Sequence, residues 1–383
     1  MKIIKLGRMR ITSTIFNNDF LIALFLLPYF KNDFFSVIPG LSILCNGLIA
    51  IEFFFLFPIC LAEIKISKFT KNIICLEVWT FFIAPLIGSN TAPSYYFLFQ
   101  CIGAITFFEI GFKRNYFKVL DVVTKMFMVF IAINAIMLCL KIDYFKDASD
   151  VTIYLLGMRT LFSLYIIPAI LFSLLRDKER GKTSFRTVLI FVCGAYSLLN
   201  QMVSTGIIEI SIILCLLILL KNEKIARKIN YIVVTFILII FDFLLTIVGE
   251  KMNALSIITN IFGKDITFSG RTTIWIKVVS KLKNSPIVGY GRDTDVLIVN
   301  TQRNAHNQWL LTAMEGGYVA MALLVLATVM SAIQLYKRRN EKWYSIVAIC
   351  TTAILVGTVT EIQTYIPFFY VVLLLPFIIP KEA

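Results

Sequence analysis

The sequence predicts an all-α protein, a polytopic bundle of about twelve transmembrane helices with one long extracytoplasmic loop. Three observations predict it. The 383 residues are 58% hydrophobic and only 16% charged, whereas a soluble domain sits near about 45–50% apolar and about 25% charged. The apolar residues come in runs of roughly 20, the length at which a helix crosses a ~30 Å hydrocarbon slab. Most Lys and Arg sit in short connectors between those runs. The short alternating segments of a transmembrane barrel are not seen.

The net charge of +14 would suit nucleic acid, but its placement argues against it. Cations in short connectors face the cytoplasm during insertion and lie beside anionic lipid. The bilayer, not nucleic acid, is the partner this pattern predicts. The eight cysteines (45, 60, 75, 101, 139, 193, 215, 350) fall within or at the ends of apolar runs, with no CxxC. They read as small apolar residues rather than disulfides or metal ligands.

Taken in order, the basic tail Lys2, Lys5, Arg8 and Arg10 stays inside, and span one covers 15–30 as a retained first span. Span two (41–62) returns to Lys65, Lys68 and Lys71. Span three (73–88) leads to an uncharged outer turn, and span four (95–112) ends at Lys113, Arg114 and Lys118. Spans five (119–140) and six (152–175) flank an outer segment of mixed sign. The most basic inner loop follows, Arg176 to Arg186. Spans seven (187–203) and eight (207–220) form a hairpin returning to Lys221, Lys224, Arg227 and Lys228. Span nine (229–248) delivers the chain outside, so 249–305 is the long extracytoplasmic loop. Span ten (307–335) returns to Lys337, and spans eleven (343–360) and twelve (365–379) end inside. This topology puts 24 of the 37 Lys and Arg on inner segments and no strongly basic short loop outside. Both termini are therefore expected in the cytoplasm. No repeat, linker or second domain interrupts 1–383.

The long loop is where polar residues gather. Over 271–283, Ile274, Trp275, Val278, Val279 and Leu282 share one helical face and Lys277, Lys281 and Lys283 the other. Capped by Ser269 or Thr272, this reads as a helix lying in the outer interface. Arg271 begins it after a flexible Gly270, where a helix N-terminus and a guanidinium fork both suit a phosphate. His306, the only histidine, opens span ten. It is either incidental or the one side chain poised to titrate near neutrality. Arg271, Arg292 and Arg303 in the same loop would hold it neutral, as proton abstraction requires. With Asp265, Asp293 and Asp295 scattered around one histidine, no metal-ligand spacing exists. Arg159 is placed one to two turns inside the outer end of span six, either facing a polar cavity or snorkelling to the surface. Glu52, Glu77, Glu209, Asp242 and Glu361 interrupt spans as protonated or paired packing residues. Glu315-Gly316-Gly317 reads as a site of close helix approach.

Ser269-Gly270-Arg271-Thr272-Thr273-Ile274-Trp275, then Ser285-Pro286-Ile287-Val288-Gly289-Tyr290-Gly291, then Ala305-His306-Asn307-Gln308-Trp309-Leu310 with Glu315-Gly316, come in that order. This order resembles the O-antigen polymerase and O-antigen ligase superfamily of bacterial surface-polysaccharide assembly. The resemblance is strong over 269–317 and elsewhere rests on the span count, the late long loop and Gly157-Met158-Arg159. It departs at Ser204-Thr205-Gly206, where many members carry Ser-Arg-Gly. The phosphate cluster is then smaller, or built from Arg292 or Arg303.

The resemblance implies a metal-independent, inverting, GT-C-like glycosyltransferase of the bacterial cytoplasmic membrane, without cofactor. Its donor would be an undecaprenyl-pyrophosphate-linked oligosaccharide, with a chain-length regulator and a flippase as candidate partners. His306 would be the base or orient the acceptor. Arg271 and Arg159 would clamp the pyrophosphate, and Asn307 would orient His306 or a sugar. A polymerase of repeat units is the first expectation, a ligase onto lipid A core the second. A flippase or transporter, which would show repeated halves, is the third.

Overall fold

The computed structural model describes residues 12–63, 65–87, 95–142, 145–146, 152–248, 271–292 and 304–381. Among the described residues, helices occupy the apolar runs except at the start of the sixth. They are α1 (Asp19–Leu26), α2 (Pro39–Glu63), α3 (Lys68–Val78), α4 (Tyr95–Cys139), α5 (Phe162–Arg180), α6 (Phe185–Asn200), α7 (Ser204–Leu219) and α8 (Tyr231–Val248). In the long loop lies α9 (Arg271–Leu282), followed by α10 (Gln308–Lys337), α11 (Tyr344–Gly357) and α12 (Phe368–Ile378). Among the described residues, strand is limited to Phe145–Lys146 paired antiparallel with Thr152–Ile153. The all-α expectation holds. Four helices, Pro39–Ile59, Tyr95–Cys139, Arg159–Arg180 and Gln308–Lys337, are long and apolar enough to cross a membrane, and several others are apolar but shorter.

Local chemistry sets the helix ends. Asn18 accepts from the Phe20 and Leu21 amides to start α1, and Ser67 accepts from Thr70 to start α3, satisfying donors with no intrahelical partner. Two expected spans, 95–112 and 119–140, are joined in α4 without a loop, across one non-helical residue, Asn115 (φ −154°, ψ 77°). Expected span six begins later than its apolar run. Residues 152–157 fold back through the Tyr154–Gly157 bridge, so the regular helix α5 starts at Phe162.

The core is aromatic. Phe30 packs 4.7 Å from Phe130, 4.8 Å from Phe127 and 5.1 Å from Phe368, and Phe127 lies 4.7 Å from Phe368. In lipid the surroundings are as apolar as the side chains, so cohesion comes from close packing rather than water exclusion. Leu86, Phe185 and Ile218 stay largely exposed on the outside of the bundle, as a lipid-facing surface allows. At the opposite end from the long loop, Asp121 accepts from Arg176 (2.6 Å), Arg180 (2.9 Å) and Arg186 (3.0 Å). Some connector cations are thus spent on protein contacts.

Candidate functional site

The apolar face of α9 exists as the periodicity predicts, but protein covers it. Ile274, Trp275, Val278 and Leu282 are buried against Leu310, Leu311 and Met314 of α10 and against Val359 and Ile362. The expected surface-resting helix is therefore docked on the bundle. Its expected Ser269 cap and Gly270 lie outside the described residues. Trp275 Nε1 donates to the Ala305 carbonyl at 3.0 Å, fixing the chain just before His306.

Around His306 the backbone takes an unusual path. His306 has φ +47°, the left-handed region that costs a non-glycine residue about 1–3 kcal/mol unless neighbours impose it. Asn304 imposes it. Its Oδ1 accepts the His306 N–H at 2.7 Å, and its Nδ2 donates to the Tyr365 hydroxyl at 2.8 Å. Asn307 then caps α10, accepting from the Leu310 amide at 3.0 Å. Its own amide donates to Asp242 Oδ1 of α8 (2.7 Å) and to the Val359 carbonyl (3.2 Å). Fully buried and spent on these bonds, Asn307 holds the loop in place.

The segment after α11 laces onto the same place. The Gln308 amide donates to the Thr358 carbonyl at 2.9 Å. The Gln308 side chain accepts from Thr364 N at 3.0 Å and donates to Thr364 Oγ1 at 3.1 Å. This brings Glu361 to Arg271, with Nη2 3.3 Å from Oε1 and both side chains partly buried. Burial and then the Arg271 charge push the His306 imidazole down to about 4. It is thus a neutral base at ordinary pH. Cations were expected to do this; burial is the larger cause.

The other basic candidates lie apart. Arg292 is buried, its guanidinium 4.5 Å over the Phe97 ring and 5.5 Å from that of Phe81, paired with Glu315 at 3.6 Å. Its Nη2 donates to the Thr364 carbonyl at 3.5 Å, which ties it to the Gln308 network. Arg159 begins the segment Arg159–Arg180 rather than lying one to two turns inside it as expected, and of the two expected settings it takes the surface one. It is exposed on the single turn Arg159–Leu161 before α5, because Gly157 at φ +86° ends the preceding fold-back. Arg303 lies outside the described residues.

Two motifs that looked independent interlock. Helix α10 breaks at Gly316 and Gly317, and the loop 286–291 seals the break. Tyr290 N donates to the Met314 carbonyl (2.7 Å), Gly291 N to Glu315 (2.9 Å), and Tyr318 N to Pro286 (2.7 Å). A methyl on Gly317 would overlap the Ile287 carbonyl, and one on Gly289 would sit 2.6 Å from Gly317 N. The close helix approach expected at Glu315-Gly316-Gly317 is present at Gly316, whose carbonyl accepts from Trp79 Nε1 at 2.7 Å on the helical turn Trp79–Ile83, and Gly317 adds a second partner, the loop.

A cavity of about 620 Å³ lies at the same end of the bundle, between the starts of α2, α4 and α5. Asn304 and Tyr365 line it, as do Met158 and Thr160 on either side of Arg159. Sequence reasoning missed the roles of Asn304 and Gln308 and the cavity's Lys31, and read Glu361 only as a protonated or paired packing residue. The carboxylates were visible as interruptions of apolar runs. Glu361 pairs with Arg271, Asp242 with Asn307, and Glu209 accepts from Gln363 at 3.2 Å. Their partners lie tens to hundreds of positions away.

Fold and site together define a polytopic helical membrane protein with a neutral histidine, a paired arginine and a polar cavity at one end of the bundle. Residues 187–325 match the family model described as O-antigen ligase, a family that takes in O-antigen ligases and related glycosyl-transferring polymerases. The match runs from α6 into α10 and contains the whole of 269–317, so the resemblance read from those motifs is shown. None of the curated proteins and none of the solved structures matches the chain.

Proposed function

We propose that the chain is a surface-polysaccharide polymerase of the bacterial cytoplasmic membrane. It would join repeat units carried on undecaprenyl pyrophosphate at the outer face, spanning the bilayer about twelve times with both termini inside. The observation that supports this reading best is the neutral His306 held beside Arg271 on a rigid turn. An acceptor hydroxyl attacks the anomeric carbon of the donor glycan. The new C–O bond forms as the bond to pyrophosphate breaks, and the pyrophosphate leaves with the electron pair. The hydroxyl proton passes to the His306 ring. Arg271, steadied by Glu361, meets the charge growing on the leaving group, and the exposed Arg159 is free to join it. Asn307, Asn304 and the buried Arg292 position the loops. No metal is needed where guanidinium groups carry the charge.

A ligase that moves finished polymer onto lipid A core is the second reading, favoured by the description of the family model itself. Gel analysis of surface glycolipid from a strain lacking the gene separates them. A single repeat unit on the acceptor, with no ladder, identifies a polymerase. Bare core with lipid-linked polymer accumulating identifies a ligase, and an unchanged ladder refutes both.

A further inference from the structure

We infer that the cavity beside the His306 turn is a saccharide subsite, the place where sugar residues of a lipid-linked glycan are held next to the reacting bond. The inference rests on the polymerase or ligase reading above and adds to it the glycan's seat. Its volume of about 620 Å³ falls in the range of about 300–1,000 Å³ that enclosed ligands use. Its walls combine aromatic rings, Tyr96, Tyr165 and Tyr365, with amides from Asn46 and Asn304. Rings offer flat apolar faces to the C–H surfaces of a sugar, and amides and hydroxyls satisfy its alcohols.

Donors are left over on these walls. The Tyr96 hydroxyl is buried with no hydrogen-bond partner among the described residues, although a buried polar atom normally has one. The Lys31 ammonium donates to Asn46 Oδ1 at 2.7 Å and lies 4.2 Å over the Tyr96 ring. With three N–H donors on the ammonium and two on the Asn46 amide, these contacts leave capacity that a hydroxyl-rich ligand would use. Asn304 links this wall to the chemistry, because the same amide binds Tyr365 in the cavity and the His306 backbone. A filled cavity and a correctly placed base are therefore mechanically connected.

A diphosphate is the rival occupant, and charge argues against it. Among the described residues Lys31 is the one cation on the cavity wall, and Asp33 lines the same space. Arg271 and Arg292 are instead paired with Glu361 and Glu315. A diphosphate site would need several converging cations. Among the described residues the wall carries one charge of each sign and otherwise mostly rings, amides and hydroxyls.

The test uses the full-length protein in lipid nanodiscs and the oligosaccharide released by mild acid from the producing strain's own surface glycan. Binding is read by saturation-transfer NMR. Wild type should bind it, and Tyr96→Leu and Asn46→Ala should each weaken binding about tenfold. Asn46 is exposed, so its variant guards against misfolding. Inorganic pyrophosphate should not displace the sugar. Variants that bind like wild type, or displacement by pyrophosphate, would overturn this subsite and leave the polymerase or ligase reading standing. A wild-type protein that binds no oligosaccharide would overturn both.

Discussion

Gly317→Ala is the sharpest perturbation of the scaffold that holds the site. Gly317 has φ +70° and ψ −174°, a region that only glycine enters freely, so any side chain there costs about 1–3 kcal/mol in backbone strain. The added methyl also collides with the Ile287 carbonyl and stands 2.6 Å from Val288 N. Relieving that overlap pushes the 286–291 loop off the break in α10, at roughly a further 1–3 kcal/mol. The sum, about 2–6 kcal/mol, is a large share of a typical total stability of about 5–15 kcal/mol. The assay is the temperature at which detergent-solubilised protein loses its monodisperse peak on size exclusion. Gly317→Ala should fall by many degrees. Gly47→Ala, where a methyl meets nothing within 4 Å, should equal or slightly exceed wild type, since alanine favours a helix by up to about 1 kcal/mol. Equal melting of Gly317→Ala and wild type would refute the interlock of loop and broken helix.

Three other predictions concern the site. Because the His306 imidazole is already depressed to about 4, it stays neutral as pH falls from 8 to 5. Activity in proteoliposomes should therefore be flat there and drop only as pH passes through about 4. Arg271→Gln, besides lowering the rate, should shift that acid limb upward toward the ordinary imidazole value, and a wild-type limb near 6.5 would contradict the burial. Asn307→Ala removes a helix cap worth about 1 kcal/mol and strands the buried Asp242 oxygen at about 1–3 kcal/mol more; a thermal melt indistinguishable from wild type would count against that network. Glu361→Gln keeps the shape but removes the charge that steadies Arg271, and should lower kcat/KM about tenfold with normal expression.

Hydropathy and glycine patterning made the helices legible, because burial in lipid demands long apolar runs and each run can be read locally. The amphipathic face of 271–282 was legible for the same reason, though sequence could not say whether lipid or protein covers it. His306 and Arg271 stood out as rare chemical types in the one polar loop. What stayed hidden depends on contacts across the chain. Nothing local announces that Glu361 reaches Arg271, that Asp242 reaches Asn307, or that Gly317 makes room for Ile287. Arg159 was misplaced because a continuous apolar run masks the fold-back at Tyr154–Gly157.

The central claim is that His306 is the base of a glycosyl transfer. Its most direct test is polymerisation of purified lipid-linked repeat units by full-length protein in proteoliposomes with EDTA present. Wild type should build a ladder and release undecaprenyl pyrophosphate, while His306→Ala, folded and equally abundant, should leave the units unjoined. A His306→Ala protein that builds the ladder at the wild-type rate would contradict the account.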